Sequence, residues 1–133
     1  MKFTFEGIIQ KFCKHLHVIT MPLPLGYSGL CIGSTILIDQ SLTDTEKVCV
    51  LLEEIGHYKT TVGDIRDQSI SENRKQELQA RDWAAAQIIS PDEILALKQD
   101  VSVQSDWEAA EKLCVTEGTL RHAYDLYKRK EAI

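Results

Sequence analysis

Three residues able to do chemistry together, Glu53, Glu54 and His57, lie in the string Leu51-Leu52-Glu53-Glu54-Ile55-Gly56-His57-Tyr58. On a helix, residues four apart share a face, so Glu53 and His57 lie together with Glu54 beside them. That is metal-site spacing. It differs by one residue from His-Glu-x-x-His, in which both histidines hold zinc and the glutamate polarises a water. Glu53 stands where the first histidine would be. A catalytic metal needs about three protein ligands, an open position and a base. Glu53 and His57 supply two ligands and Glu54 the base. The third should come from another element. Glu77 is the preferred candidate, because a loop of roughly a dozen residues can fold its helix back against the first. Asp64, in the segment between them, is the alternative.

A carboxylate in place of an imidazole changes the expected chemistry. Two carboxylates and one neutral histidine fully offset a divalent ion, so water at such a metal is less acidified than at a site with two histidines. Oxygen-rich ligation also weakens the preference for zinc and admits manganese or iron. Glutamates on a solvated helix face beside a histidine would produce the same string, so the spacing needs support from the rest of the chain. Tyr58, next to His57, could hydrogen-bond a tetrahedral intermediate or serve in packing.

The elements that must position these groups can be read along the chain. Phe5, Ile8, Ile9, Phe12, Cys13 and Leu16 recur at helical spacing and predict an amphipathic first helix over residues 3–16, ended by His15 and His17. Met21-Pro22-Leu23-Pro24-Leu25-Gly26 is a connector, because each proline removes a donor and favours an extended predecessor. Runs 27–32 and 34–39, separated by Gly33, predict a small hairpin that must lean on helices to be stable.

Thr43 and Glu46 form a capping box that starts a second helix at about residue 44, with Val48, Leu51, Leu52 and Ile55 as its buried stripe. Gly56 in mid-helix costs about 1 kcal/mol against alanine and signals close packing there. Residues 60–70 read as a polar loop. A third helix covers residues 71–89, with Glu77, Ala80, Arg81 and Ala84 along one edge. Ser90-Pro91-Asp92-Glu93 stops it and caps a short fourth helix. Ser105 to Glu108 is a further capping box. A helix, a three-residue turn at Cys114-Val115-Thr116 and a helix to about Lys130 then resemble a helix-turn-helix.

Length and composition bound the rest. With 133 residues and 44% hydrophobic content, the chain is expected to be one compact α+β domain, residues 1–89 carrying the hairpin and the site helices and 90–133 a helical subdomain. A net charge of −5 argues against a protein that lives on nucleic acid or an anionic membrane. Cys13, Cys31, Cys49 and Cys114 form no Cys-x-x-Cys pair and read as reduced thiols. With no signal-peptide pattern and no membrane-length apolar run, the expected location is the cytoplasm.

The Leu51–Tyr58 string, the following Thr60-Thr61-Val62-Gly63-Asp64-Ile65 and then Glu77-Leu78-Gln79-Ala80-Arg81-Asp82-Trp83-Ala84 resemble the ImmA/IrrE family of metallo-endopeptidases. The likeness is to the form encoded in phages and mobile elements of Gram-positive bacteria. It extends to the hairpin, the Ser90-Pro91 break and the helical C-terminus. The resemblance implies a mostly helical zincin-like fold with an edge hairpin beside the active-site helix, where an extended substrate is held by strand addition. It implies cleavage of a cognate helix-turn-helix repressor, with His57 and Glu77 as metal ligands and Glu54 as general base. Glu53 matches the first ligand position and departs from it in chemistry.

Two alternatives accompany that reading. One is a non-catalytic antirepressor that binds the repressor without cutting it. The other is a DNA-binding regulator that presents Thr119, Arg121 and His122 from its last helix, against which Glu117 and the acidic whole both count.

Overall fold

The structure, a computed structural model, describes residues 3–60 and 70–133. Among them a first helix, α1 (Phe5–Phe12), leads into strands β1 (His17–Met21), β2 (Gly29–Ile32) and β3 (Thr35–Asp39). Helices α2 (Asp44–Thr60), α3 (Ile70–Ile88), α4 (Pro91–Gln99), α5 (Asp106–Leu113) and α6 (Glu117–Arg129) follow. The fold is α+β and mostly helical.

The sheet has the order β1-β3-β2, with β3 antiparallel to β2 and parallel to β1. The expected hairpin is therefore β2–β3. It turns at Gly33, whose φ of +60° suits a residue without Cβ. β1 was not expected. The sequence pattern ends the first helix at His15 and His17, starts a connector at Met21 and leaves residues 18–20 unassigned, yet α1 already ends at Phe12, with Cys13 as C-cap. Helical spacing continues to Leu16, but pairing with the sheet wins: His17 donates its backbone N–H to Ser34 O at 2.9 Å and Val18 lies opposite Ile36. Val18, Ile19 and Thr20 are β-branched and suit that role. Most of β1 is exposed, so it lacks the alternation that marks a half-buried strand.

Ile36 and Ile38 point from β3 into the core, where they join Ile8 of α1 and the α2 stripe Val48, Leu51, Leu52 and Ile55, each at most 2% exposed. α2 starts as expected: Thr43 accepts from the Glu46 backbone N–H at 3.2 Å, and Glu46 accepts from the Thr43 N–H at 3.0 Å. Ser90 and Glu93 make the same reciprocal pair at the start of α4. At α5 the Ser105 hydroxyl accepts from the Glu108 N–H and donates to the Glu108 carboxylate, so the return bond to the N-cap amide is replaced by a bond between side chains. Of the polar loop expected over residues 60–70, Thr60 and Ile70 belong to α2 and α3, and residues 61–69 lie outside the described residues.

α2 and α3 pack antiparallel, and Gly56 sets how closely. A Cβ placed on Gly56 would lie 2.4 Å from the Ala80 carbonyl oxygen and 3.2 Å from its Cα. Ala80 itself is fully buried. The mid-helix glycine thus marks backbone-to-backbone contact, and α2 accepts its low helix propensity in exchange for proximity.

Gly56→Ala is therefore expected to destabilise the protein by about 1–2 kcal/mol net, overpacking against rigid backbone outweighing the propensity gain. A urea midpoint that stays the same or rises would contradict this packing.

Candidate metal centre

The contact at Gly56 and Ala80 brings two helix faces together. Glu53 and His57 lie four apart on α2, and Glu77 and Arg81 lie four apart on α3. Because the helices run antiparallel, His57 meets Glu77 and Glu53 meets Arg81. His57 Nε2 is 3.4 Å from Glu77 Oε2, and Arg81 Nε donates to Glu53 Oε1 at 2.9 Å.

One ligand atom from each of Glu53, His57 and Glu77 lies within 4.8 Å of the other two. Ligands about 2.1 Å from a tetrahedral ion stand roughly 3.4 Å apart, so the His57–Glu77 separation already fits a shared metal. Glu53 needs no more than a small adjustment. Two carboxylates and an imidazole form a donor set suited to a divalent transition metal. The residues fit such an ion, and His57, 16% exposed against 42% for Glu77, sits on the inner side of the group.

Glu54 differs from its neighbours. It packs under the edge strand β2, where a Cβ on Gly29 would lie 3.0 Å from Glu54 Cγ and 2.7 Å from Val50 Cγ1. Burial pushes its carboxyl up to about 7, and the charges of Glu53 and then Glu77 push the same way. A carboxyl raised to about 7 beside the Glu53 and Glu77 carboxylates has the character of a general base. Cys31, also on β2, is pushed up to about 11, by burial and then by the Glu54 charge, so it is a thiol at neutral pH.

Two further sequence candidates are Tyr58 and Asp64. Tyr58 follows His57 on α2, turned about 100° from it, and is 44% exposed. Asp64 lies outside the described residues. Trp83 is structural: it stacks edge-on with Phe12 at 5.3 Å and lies under the Lys59 ammonium. His122 is structural too, its Nε2 2.8 Å from Asp82 Oδ1, which Arg129 Nη2 also reaches at 2.8 Å.

Gly29, Cys31 and the Arg81–Glu53 bond were not singled out from sequence. Gly29 carried a readable signal, since a glycine inside a strand marks a close backbone approach. A cavity of about 260 Å³ opens beside Glu53 and Arg81, floored by Leu52, Ala84, Ala85 and Ile88 and rimmed by Thr119 and His122.

Peptide hydrolysis is the chemistry that such a pairing of ligands and base serves, and the class it defines is the metallopeptidases. Comparison with known families agrees. The chain belongs to the family of the IrrE N-terminal-like domain, a peptidase family whose profile matches residues 13–124. No curated protein and no solved structure matches the chain. Among the described residues no helix is long and apolar enough to cross a membrane.

The environment of Glu54 predicts a pH dependence of the metal-stripped protein. Its folded carboxyl, at about 7, binds a proton more tightly than an unfolded one at about 4.3, so the stability it contributes is fully present below about 4.3 and lost as pH rises through about 7. In EDTA, Glu54→Gln should gain on the parent by a few kcal/mol, on the order of 3, between pH 4 and pH 8. A difference in unfolding free energy that does not change with pH would refute the raised Glu54 carboxyl.

Proposed function

We propose that the chain is a metal-dependent endopeptidase of the ImmA/IrrE type that cleaves a helix-turn-helix repressor of a phage or mobile element in the cytoplasm. The observation that carries the catalytic part is the convergence of Glu53, His57 and Glu77 to within 4.8 Å with Glu54 half-buried alongside. Glu53, His57 and Glu77 are assigned as ligands, zinc being the favoured ion and manganese or iron the oxygen-tolerant alternatives. When bound, the ion supplies Lewis acidity that polarises the scissile carbonyl and acidifies a water.

Glu54 accepts the proton from the attacking water and returns it to the leaving amine. Gly29 keeps β2 pressed against α2, so the carboxyl stays shielded under the strand. β2 is an outer strand of the sheet, and an extended peptide added along its free edge would run past Glu54. The cavity beside Glu53, with its floor of alanines and aliphatic side chains, has room for an apolar substrate side chain. The repressor as substrate is supported by the family resemblance.

A non-catalytic antirepressor is the competing reading, and Glu53 in place of histidine is the feature that favours it. DNA binding has less support. His122 is held by Asp82, Arg121 Nη2 is 3.9 Å from Asp106 Oδ2, and α6 buries Leu120, Ala123, Leu126 and Tyr127.

The purified protein is expected to hold one divalent ion per chain by elemental analysis, and Glu54→Gln to keep the ion while losing cleavage of the co-expressed repressor by at least a hundredfold. A parent with no stoichiometric metal would sink the peptidase reading. A Glu54→Gln chain that still inactivates the repressor in cells would establish the antirepressor.

A further inference from the structure

The metal centre described above has one carboxylate more than a centre built on two histidines, and the structure sets a cation against that carboxylate. Arg81 stands four residues after Glu77 on α3, so the helix that presents one ligand also presents the guanidinium. Its Nε donates to Glu53 Oε1 at 2.9 Å, a bond across 28 positions of sequence. As a stability element the pair is worth little, because the Arg81 side chain is 55% exposed and that of Glu53 34%. Its geometry matters more. A guanidinium is always charged, donates in fixed directions and cannot itself bind a metal, so it can hold one carboxylate oxygen while the other stays available.

We propose that Arg81 is a positioning residue for the metal centre, orienting Glu53 as a ligand and cancelling the charge that Glu53 adds. With Arg81 counted, Glu53, His57 and Glu77 present the ion with the net charge of one carboxylate, as a site of two histidines and one carboxylate would. Hydrogen-bonded outer partners of metal ligands commonly contribute 10–100-fold in affinity, and partial exposure puts Arg81 at the lower end of that range. The role depends on Glu53. Beside a neutral imidazole the same guanidinium has no carboxylate to orient and only repels the ion.

This inference rests on the metal-site reading. Its test is a cycle of variants whose zinc affinities are measured by competition with a chromophoric chelator, with circular dichroism and urea unfolding to check the fold. Arg81→Met should lower zinc affinity about tenfold, and Arg81→Lys, whose ammonium can still donate to Glu53 but without fixed directions, should recover part of the loss. In a Glu53→His background, Arg81→Met should leave zinc affinity unchanged or raise it. That change of sign is what a merely structural arginine would not produce. Equal losses in both backgrounds, or unchanged or higher affinity on Arg81→Met with Glu53 present, would overturn the proposal while leaving the metal site standing. A parent protein that binds no zinc, manganese or iron would overturn the metal site and this role with it.

Discussion

The candidate centre depends on how closely α2 and α3 approach, and that distance is set by the absence of one methyl group. Gly56 lies between Glu53 and His57, and Ala80 between Glu77 and Arg81, so backbone contact falls at the middle of four functional side chains. Any larger residue at 56 would force the helices apart and separate His57 from Glu77 before it disturbed the core around Leu51 and Ile55. Packing and site geometry are coupled at this position: the same contact that stabilises the helix pair fixes the distances between Glu53, His57 and Glu77.

A second glycine does similar work on the other side of α2. Gly29 brings the backbone of β2 onto Val50 and Glu54, which desolvates the Glu54 carboxyl more than that of Glu53, one residue earlier. Two adjacent glutamates thereby acquire different properties from one helix turn. One is paired with a guanidinium beside His57 and Glu77, and the other is shielded, its carboxyl pushed up to about 7. Environment separates the roles of two identical side chains.

Much of this was legible in the residues, and the reasons for the gaps are physical. Capping at Thr43 and Ser90 and the stripe from Val48 to Ile55 were readable because they are local, and each came out at the expected place. Glu53, His57 and Glu77 could be grouped because spacing on α2 and one plausible loop length limit the alternatives; the structure brings those three together, and Asp64 lies outside the described residues. β1 was missed because its partner is a strand 18 residues away and its exposed side chains carry no alternation. Arg81 is legible as a salt-bridging side chain, but its partner Glu53 is not, because a long side chain on an exposed face has no preferred partner until the helices are docked.

The C-terminal helices also make sense relative to the centre. α5 ends at Cys114, which takes the left-handed conformation with φ of 56°, and Thr116 caps α6 two residues later. The turn resembles that of a DNA reader, but Val115 and Leu120 beside it are buried and residues further along α6 pair with α3. Asp82 accepts from both His122 and Arg129, and the Tyr127 hydroxyl donates to the Ile89 carbonyl, so α6 is tied to α3 near its middle and just beyond its end. Asp82 directly follows Arg81 and points to another side of α3. Held by α6 on that side and by Gly56 on the other, α3 has little freedom to rotate, and rotation is the motion that would carry Glu77 and Arg81 away from α2. The last helices therefore act on the same variable as the two glycines: the orientation of the faces that carry the ligands.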